Sequence, residues 1–252
     1  MNAGNASDLA RLRFNAVFFG GLFLWTLIYL PVSFCLWLFS ACAGREGKRA
    51  AIRKLVHSYG VVVCRILGSQ VPLRVKNLAR QFSGPCIVAP NHQSFFDPYC
   101  PGFFHLRDIS FAVRAWPFRI PLYGRVMRRA GYLDTSTLDA ESFAQKAGEL
   151  LDEGSALIIF PEGTRSAQGR MGRFHSGAFR LAMRFNVPIV PMCIDGSGRI
   201  FPKGARFGRP APMRVSLLEP VWPGDFARYG DEAPLRLRRH VKCVIEKELA
   251  AP

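Results

Sequence analysis

From Phe14 to Gly44 the chain runs for 31 residues without an Asp, Glu, Lys, Arg or His, between Arg13 and Arg45. A bilayer core of ~30 Å needs ~20 helical residues, so this run is long enough to enter a membrane. Pro31 divides it, leaving Phe14 to Leu30 on one side and the shorter Val32 to Ala43 on the other. Two arrangements fit: one kinked, tilted span, or a hairpin dipping into one leaflet. Residues 46–67 read next as a helix, with Arg49, Arg53 and His57 four apart along one face. That face rests on anionic headgroups or is simply solvated.

From Gln70 onward short apolar runs alternate with helical patterns. Candidate strands are Leu73–Val75, Cys86–Ala89, Ile109–Val113, Tyr132–Leu133, Ala156–Phe160, Pro188–Ile194 and Met213–Leu218. Candidate helices are Pro98–His105, Pro121–Arg129, Leu138–Glu153, Ser176–Phe185 and Ala233–Ala250, with Ser136 a candidate cap for the helix that Gly154 stops. This alternation predicts an α/β fold: a mostly parallel mixed sheet flanked by helices, with an N-terminal hydrophobic, membrane-anchoring helical segment. The one boundary falls near Gly68, giving an anchoring region over 1–67 and an α/β domain over 68–252.

Charge changes the picture. Lys and Arg total 34 against 18 acids, a net +16, which implies an acidic partner: nucleic acid, anionic lipid or a phosphorylated substrate. Arg45, Lys48, Arg49, Arg53 and Lys54 follow the apolar run, against Arg11 and Arg13 before it. By the positive-inside rule the C-terminal part is cytoplasmic; the expected location is the cell inner membrane, with the α/β domain on its cytoplasmic face. Seven scattered cysteines form no C-x-x-C pair, and no Cys/His cluster has metal spacing. They are expected to be reduced.

Two stretches carry candidate chemistry. Asn91-His92 and Asp97 follow the predicted strand Cys86–Ala89, with Pro90 breaking it. Five residues separate His92 from Asp97, so the pair meets only if the backbone bends. A carboxylate that orients an imidazole suits general acid–base work; the alternative is a His at a strand end and an Asp capping a helix. The second stretch, Pro161-Glu162-Gly163-Thr164-Arg165-Ser166, follows the predicted strand Ala156–Phe160. Gly163 allows close backbone approach, and Thr164 and Arg165 offer a hydroxyl and a planar fork suited to phosphate; the alternative is a turn with a solvated arginine.

Together the two stretches resemble the glycerolipid acyltransferase family, typified by 1-acylglycerol-3-phosphate acyltransferases. Asn91, His92 and Asp97 match its first block, Phe160 to Ser166 its third, and Val187 to Pro191 its fourth. The second block departs: Gly131-Tyr132-Leu133-Asp134 fits, but Thr135 stands where the family often has a phosphate-contacting Arg. Arg128, Arg129, Arg173 and Lys203 are candidates to replace it. The resemblance implies acyl transfer from acyl-CoA or acyl-carrier protein to a lysolipid hydroxyl, by default that of 1-acyl-sn-glycerol 3-phosphate, with another lysophospholipid or a lyso-aminolipid as alternatives. It assigns His92 and Asp97 to catalysis and Asn91, Glu162, Gly163, Thr164 and Arg165 to substrate binding, and it calls for no metal or bound cofactor. Phe95 and Phe96 are either part of an acyl groove or core packing. The loop Gly196–Arg209 lies on headgroups, meets an acidic carrier protein, or is a flexible basic loop. His57, His105, His175 and His240 read as structural or exposed. A competing class is a membrane-tethered basic binding protein, but no nucleic-acid motif is present and no nucleic-acid partner is expected.

Overall fold

The computed structural model describes residues 3–39, 44–80, 82–106, 108–121, 123–166 and 170–251. Among them a seven-stranded sheet forms the centre. In chain order its strands are β1 (Leu73–Asn77), β2 (Cys86–Pro90), β3 (Ile109–Val113), β4 (Leu133–Asp134), β5 (Ala156–Ile159), β6 (Ile189–Asp195) and β7 (Met213–Leu217). They lie in the order β1-β7-β6-β2-β5-β3-β4, with every neighbouring pair parallel except β6 and β7.

Alternate side chains of the central strands enter two separate cores, as a period of two requires. Val88 and Ile158 face one layer with Val190 and Met192, while Ile87, Ala89 and Leu157 face the other with Ile189. The second layer is covered by α5 (Ala140–Asp152), α6 (Gly177–Phe185) and α8 (Ala233–Ala250). Leu237, Val241 and Ile245 of α8, four residues apart, form one fully buried stripe. Asp139, not Ser136, caps α5: its carboxylate accepts from the Glu141 and Ser142 N–H groups, and Ser136 lies outside the first turn.

The first layer is covered by α1 (Ala3–Phe39) and α2 (Arg45–Gly68). Phe14 and Phe18 of α1 and Val63, Cys64 and Leu67 of α2 share one buried cluster with the sheet. The boundary near Gly68 therefore marks a change in composition and not a break in the core. Asn15 clamps α1 to the domain by exchanging two hydrogen bonds with the Gly208 backbone, at 2.9 and 2.8 Å. Gly208 is required by space: a Cβ there would lie 2.6 Å from Phe201 and 2.7 Å from Phe14.

Helix α1 continues through Pro31, so no hairpin turns at that residue. It packs antiparallel on α2 through Thr26–Tyr59 (2.8 Å) and Tyr29–Ser58 (2.7 Å). Ser7–Cys35 is, among the described residues, the one stretch of helix long and apolar enough to cross a membrane, with a mean hydropathy of 1.8. Phe23, Leu24, Leu27, Ile28 and Leu30 stand exposed on it.

The basic face expected on α2 is divided. Arg53 is 1% exposed and does not face headgroups or solvent. Its Nε and Nη2 donate to Asp108 at 2.6 Å each, Nη2 also to Glu153 at 2.8 Å, and Nη1 to the Ala130 carbonyl at 3.2 Å. Burial works against its charge; hydrogen bonding and attraction from Asp108, then Glu153, outweigh it and raise its pKa.

Candidate active site

The sheet register brings the two motif stretches together. β2 and β5 are adjacent and parallel, with Val88 opposite Ile158, so the turns that follow them emerge side by side at the carboxyl edge of the sheet. Ligands of open α/β sheets bind at that edge. The His92 ring lies 4.4 Å from the Phe160 ring, and the Ser166 N–H donates to the His92 carbonyl at 2.7 Å.

After β2 the chain bends tightly. Asp97 opens a 3₁₀ segment, Asp97–Phe103, in place of the α-helix expected over Pro98–His105; Pro98 and Pro101 inside it remove two of the N–H donors a helix needs. The bend folds the fully buried Asp97 carboxylate back onto His92, with Oδ2 2.8 Å from Nδ1. The same oxygen accepts the Gln93 and Ser94 N–H groups at 2.5 and 2.7 Å. An ionised carboxylate can only accept, so Nδ1 carries the hydrogen and Nε2 keeps its lone pair. The imidazole lines a cleft of about 1380 Å³. That exceeds the roughly 300–1,000 Å³ of a small-molecule pocket.

Three of the expected binding residues have other duties. Asn91 is 1% exposed, and its side chain exchanges hydrogen bonds with the Ile194 backbone at 2.9 and 2.7 Å, tying β2 to β6 instead of reaching the cleft. Glu162 is 6% exposed and accepts the His92 N–H on one oxygen (2.7 Å) and the Gly172 N–H on the other (2.8 Å). Burial raises its pKa, against the pull of those two N–H groups. Glu162 thus splices the second motif to the backbone of His92. Gly163, with φ +68°, makes the turn; its nearest neighbour leaves ordinary room for a Cβ, so the backbone angle is what calls for glycine.

Gly163 nonetheless lines the cleft together with Thr164 and Arg165, as do Lys203 and Arg114. Arg114 was not among the sequence candidates, though it directly follows the predicted strand Ile109–Val113, and that strand-end position was the available signal. It lies beside the variant position in the second block, where the Thr135 N–H donates to the Val113 carbonyl at 2.9 Å. Among the described residues, Arg114, Arg165 and Lys203 have no carboxylate partner, and no Asp or Glu lines the cleft. Arg128 turns to the Phe118 carbonyl (2.9 Å), and neither it, Arg129 nor Arg173 lines the cleft. His57 and His175 do, so two of the four histidines read as structural or exposed stand at the site. Phe95 forms cleft wall while Phe96 is core. The Gly196–Arg209 stretch is no flexible loop: Ser197–Ile200 is helical (α7), and Ile200 and Phe201 are buried. Among the described residues no cluster of three or more His, Cys, Asp or Glu is placed to hold a metal ion.

The chain is similar to known acyltransferases. Residues 72–195 match the family model described as Acyltransferase. The chain is 32% identical over 165 residues to the chloroplastic 1-acyl-sn-glycerol-3-phosphate acyltransferase BAT2 of Brassica napus, covering 64% of this chain and 47% of that one. It is 26% identical over 177 residues to a 1-acyl-sn-glycerol-3-phosphate acyltransferase of Pseudomonas aeruginosa, covering 67% of each. The match spans about half the length, or less, of the first plant and algal relatives (47%, 39% and 44%). The crystal structure of the 1-acyl-sn-glycerophosphate acyltransferase PlsC from Thermotoga maritima superimposes with a TM-score of 0.70 at 25% identity, covering 99% of this chain and 98% of that one.

Proposed function

We propose that this chain, which belongs to the acyltransferase family, transfers a fatty acyl group from a thioester to the hydroxyl of a lysolipid bearing a phosphate, 1-acyl-sn-glycerol 3-phosphate first among them. One observation carries the reading: His92, braced at Nδ1 by a buried carboxylate, opens onto a large cleft whose charged walls are all basic. The relatives' names agree with that acceptor.

The chemistry follows from the geometry. An alcohol is a poor nucleophile at neutral pH. His92 Nε2 takes the hydroxyl proton as the oxygen attacks the thioester carbonyl, a contribution of roughly 10²–10⁴-fold. Asp97 stabilises the imidazolium that results. The tetrahedral intermediate collapses, the C–S bond breaks, and His92 returns the proton to the departing thiolate. The attacking oxygen belongs to the acceptor, so no acyl-enzyme forms. Arg165, Arg114 and Lys203 hold the acceptor phosphate, and Phe95 contributes apolar wall for an acyl chain. The donor is acyl-CoA or an acidic acyl-carrier protein, and the enzyme works from the cytoplasmic face of the inner membrane, anchored through α1.

The test is acylation of a lysolipid panel by the purified chain with radiolabelled acyl-CoA and acyl-carrier protein. His92→Ala should lower turnover by roughly 10²–10⁴-fold with an unchanged melting temperature. Full turnover by that variant, or no acylation of any lysolipid by the parent, overturns the reading.

A further inference from the structure

Among the described residues outside α1, four exposed large apolar side chains lie close in sequence on two short helices, α3 (Ala115–Phe118) and α4 (Tyr123–Ala130), and the stretch between them. Trp116 is 67% exposed, and Ile120, Tyr123 and Val126 stand out beside it. The surrounding stretch from Ile109 to Leu133 contains five arginines and no Asp or Glu. Arg119, Arg125 and Arg128 of that set are exposed.

These side chains are held outward by a rigid base. Pro117, Phe118, Met127 and Ala130 are buried beneath them. α3 and α4 are pressed together at Gly124, where a Cβ would fall 2.0 Å from the Phe118 carbonyl oxygen. Leaving Trp, Ile, Tyr and Val in water on a fixed platform costs free energy, which a partner recovers by covering them. Arginine alternating with Trp and Tyr is the chemistry of a lipid interface: the rings sit at headgroup level and the guanidinium groups meet phosphate.

The position of the platform selects the same partner. Trp116, Ile120 and Tyr123 line one wall of the His92 cleft, and Val56, His57, Tyr59 and Gly60 of α2 line another. Tyr59 in turn packs on Trp25 and Tyr29 of α1, at ring separations of 6.4 and 5.3 Å. Helix α1, through the side it turns to α2, thus backs one wall of the cleft whose other wall is the α3–α4 platform.

We propose that the α3–α4 face is a second membrane-docking surface, seated on an anionic leaflet so that the cleft opens directly onto its lipid. The proposal rests on the lysolipid-acylation reading above and adds to it the surface through which the acceptor arrives.

The experiment uses the full chain and vesicles of phosphatidylcholine with and without phosphatidylglycerol. Arg119→Glu/Arg125→Glu alters two side chains outside the cleft. It should lower acylation of vesicle-embedded lysolipid about tenfold in anionic vesicles, from the loss of two headgroup contacts, and leave the rate in neutral detergent micelles within about twofold. Trp116, retained as the one tryptophan after replacing Trp25, Trp37 and Trp222 with Phe, should be quenched by brominated acyl chains. An unquenched Trp116, equal losses in micelles and vesicles, or no loss at all overturns the proposal. A loss confined to reactions with acyl-carrier protein as donor also overturns it, and assigns the face to that protein. Failure of the parent chain to acylate any lysolipid would reject the function alone, because the quenching result decides the surface independently. Should the single-tryptophan protein not fold, Trp116→Phe in the otherwise unaltered chain should remove part of the quenching by brominated lipid, and quenching equal to the parent's overturns the proposal.

Discussion

Arg53 and Arg165 carry the same guanidinium in opposite surroundings. Arg53 is buried and gives its donors to Asp108, Glu153 and the Ala130 carbonyl. Arg165 faces the cleft with no carboxylate partner among the described residues, like Arg114 and Lys203. A buried cation that is fully paired holds elements together: Arg53 joins α2 to the turn before β3 and to the end of α5. A cation left without a carboxylate beside the His92 imidazole is available to an incoming anion. The +16 of the chain is thus not one property, and a residue's share in binding depends on which carboxylates fold onto it.

The largest expected effect breaks the paired side. Arg53→Ala leaves Asp108 without a cationic partner and Glu153 with only Arg49 at 3.7 Å, in a poorly solvated pocket, and should cost about 3–5 kcal/mol. Urea denaturation would show the loss, and a midpoint equal to the parent's would refute it. On the unpaired side, Arg165→Ala should leave that midpoint unchanged and lower kcat/KM for a phosphate-bearing acceptor by roughly 30- to 1,000-fold, the range for losing one charge-assisted contact in a desolvated site. An equal loss on a neutral acceptor of the same chain length would refute phosphate binding by Arg165. Arg114→Ala should act in the same direction at about tenfold. Adding Thr135→Arg to that variant should restore most of the loss, because the two positions lie on adjacent strand ends; no rescue would separate them functionally.

The smallest effect is on pH. Burial first, and then repulsion from His105, lower the His57 pKa from 6.5. The unfolded chain therefore takes up this proton first as pH falls. His57 contributes stability above about pH 6.5, and that contribution is lost as pH drops through its lower folded-state pKa. His57→Gln should flatten the fall in Tm between about pH 7 and 5, and an unaltered slope would show that the group does not matter.

Much of this was legible in the residues. Strand Cys86–Ala89 and helix Ala233–Ala250 were readable because burial on both faces, or on one helical stripe, forces uninterrupted or periodic apolar positions. His92 and Asp97 were readable as a pair because a bend was encoded between them. The short helices α3 and α7 were not, since each is one turn long and leaves no period to detect. The division of labour among site residues was also hidden. Asn91 and Glu162 carry the same polar groups whether they meet a substrate or a backbone amide, and only the fold supplies the amides of Ile194, His92 and Gly172.

By itself, then, the order of residues determined that there would be an α/β sheet, an apolar N-terminal helix, and a histidine and an arginine-bearing turn each ending a buried strand. Those are local consequences of periodicity and of breakers such as Pro90 and Gly163. Tertiary structure decided that β2 and β5 lie side by side, which makes one cleft of two motifs 70 residues apart. It also decided which arginines are spent on carboxylates and which stay free. Both outcomes depend on through-space distances between segments remote in sequence, which no local pattern encodes.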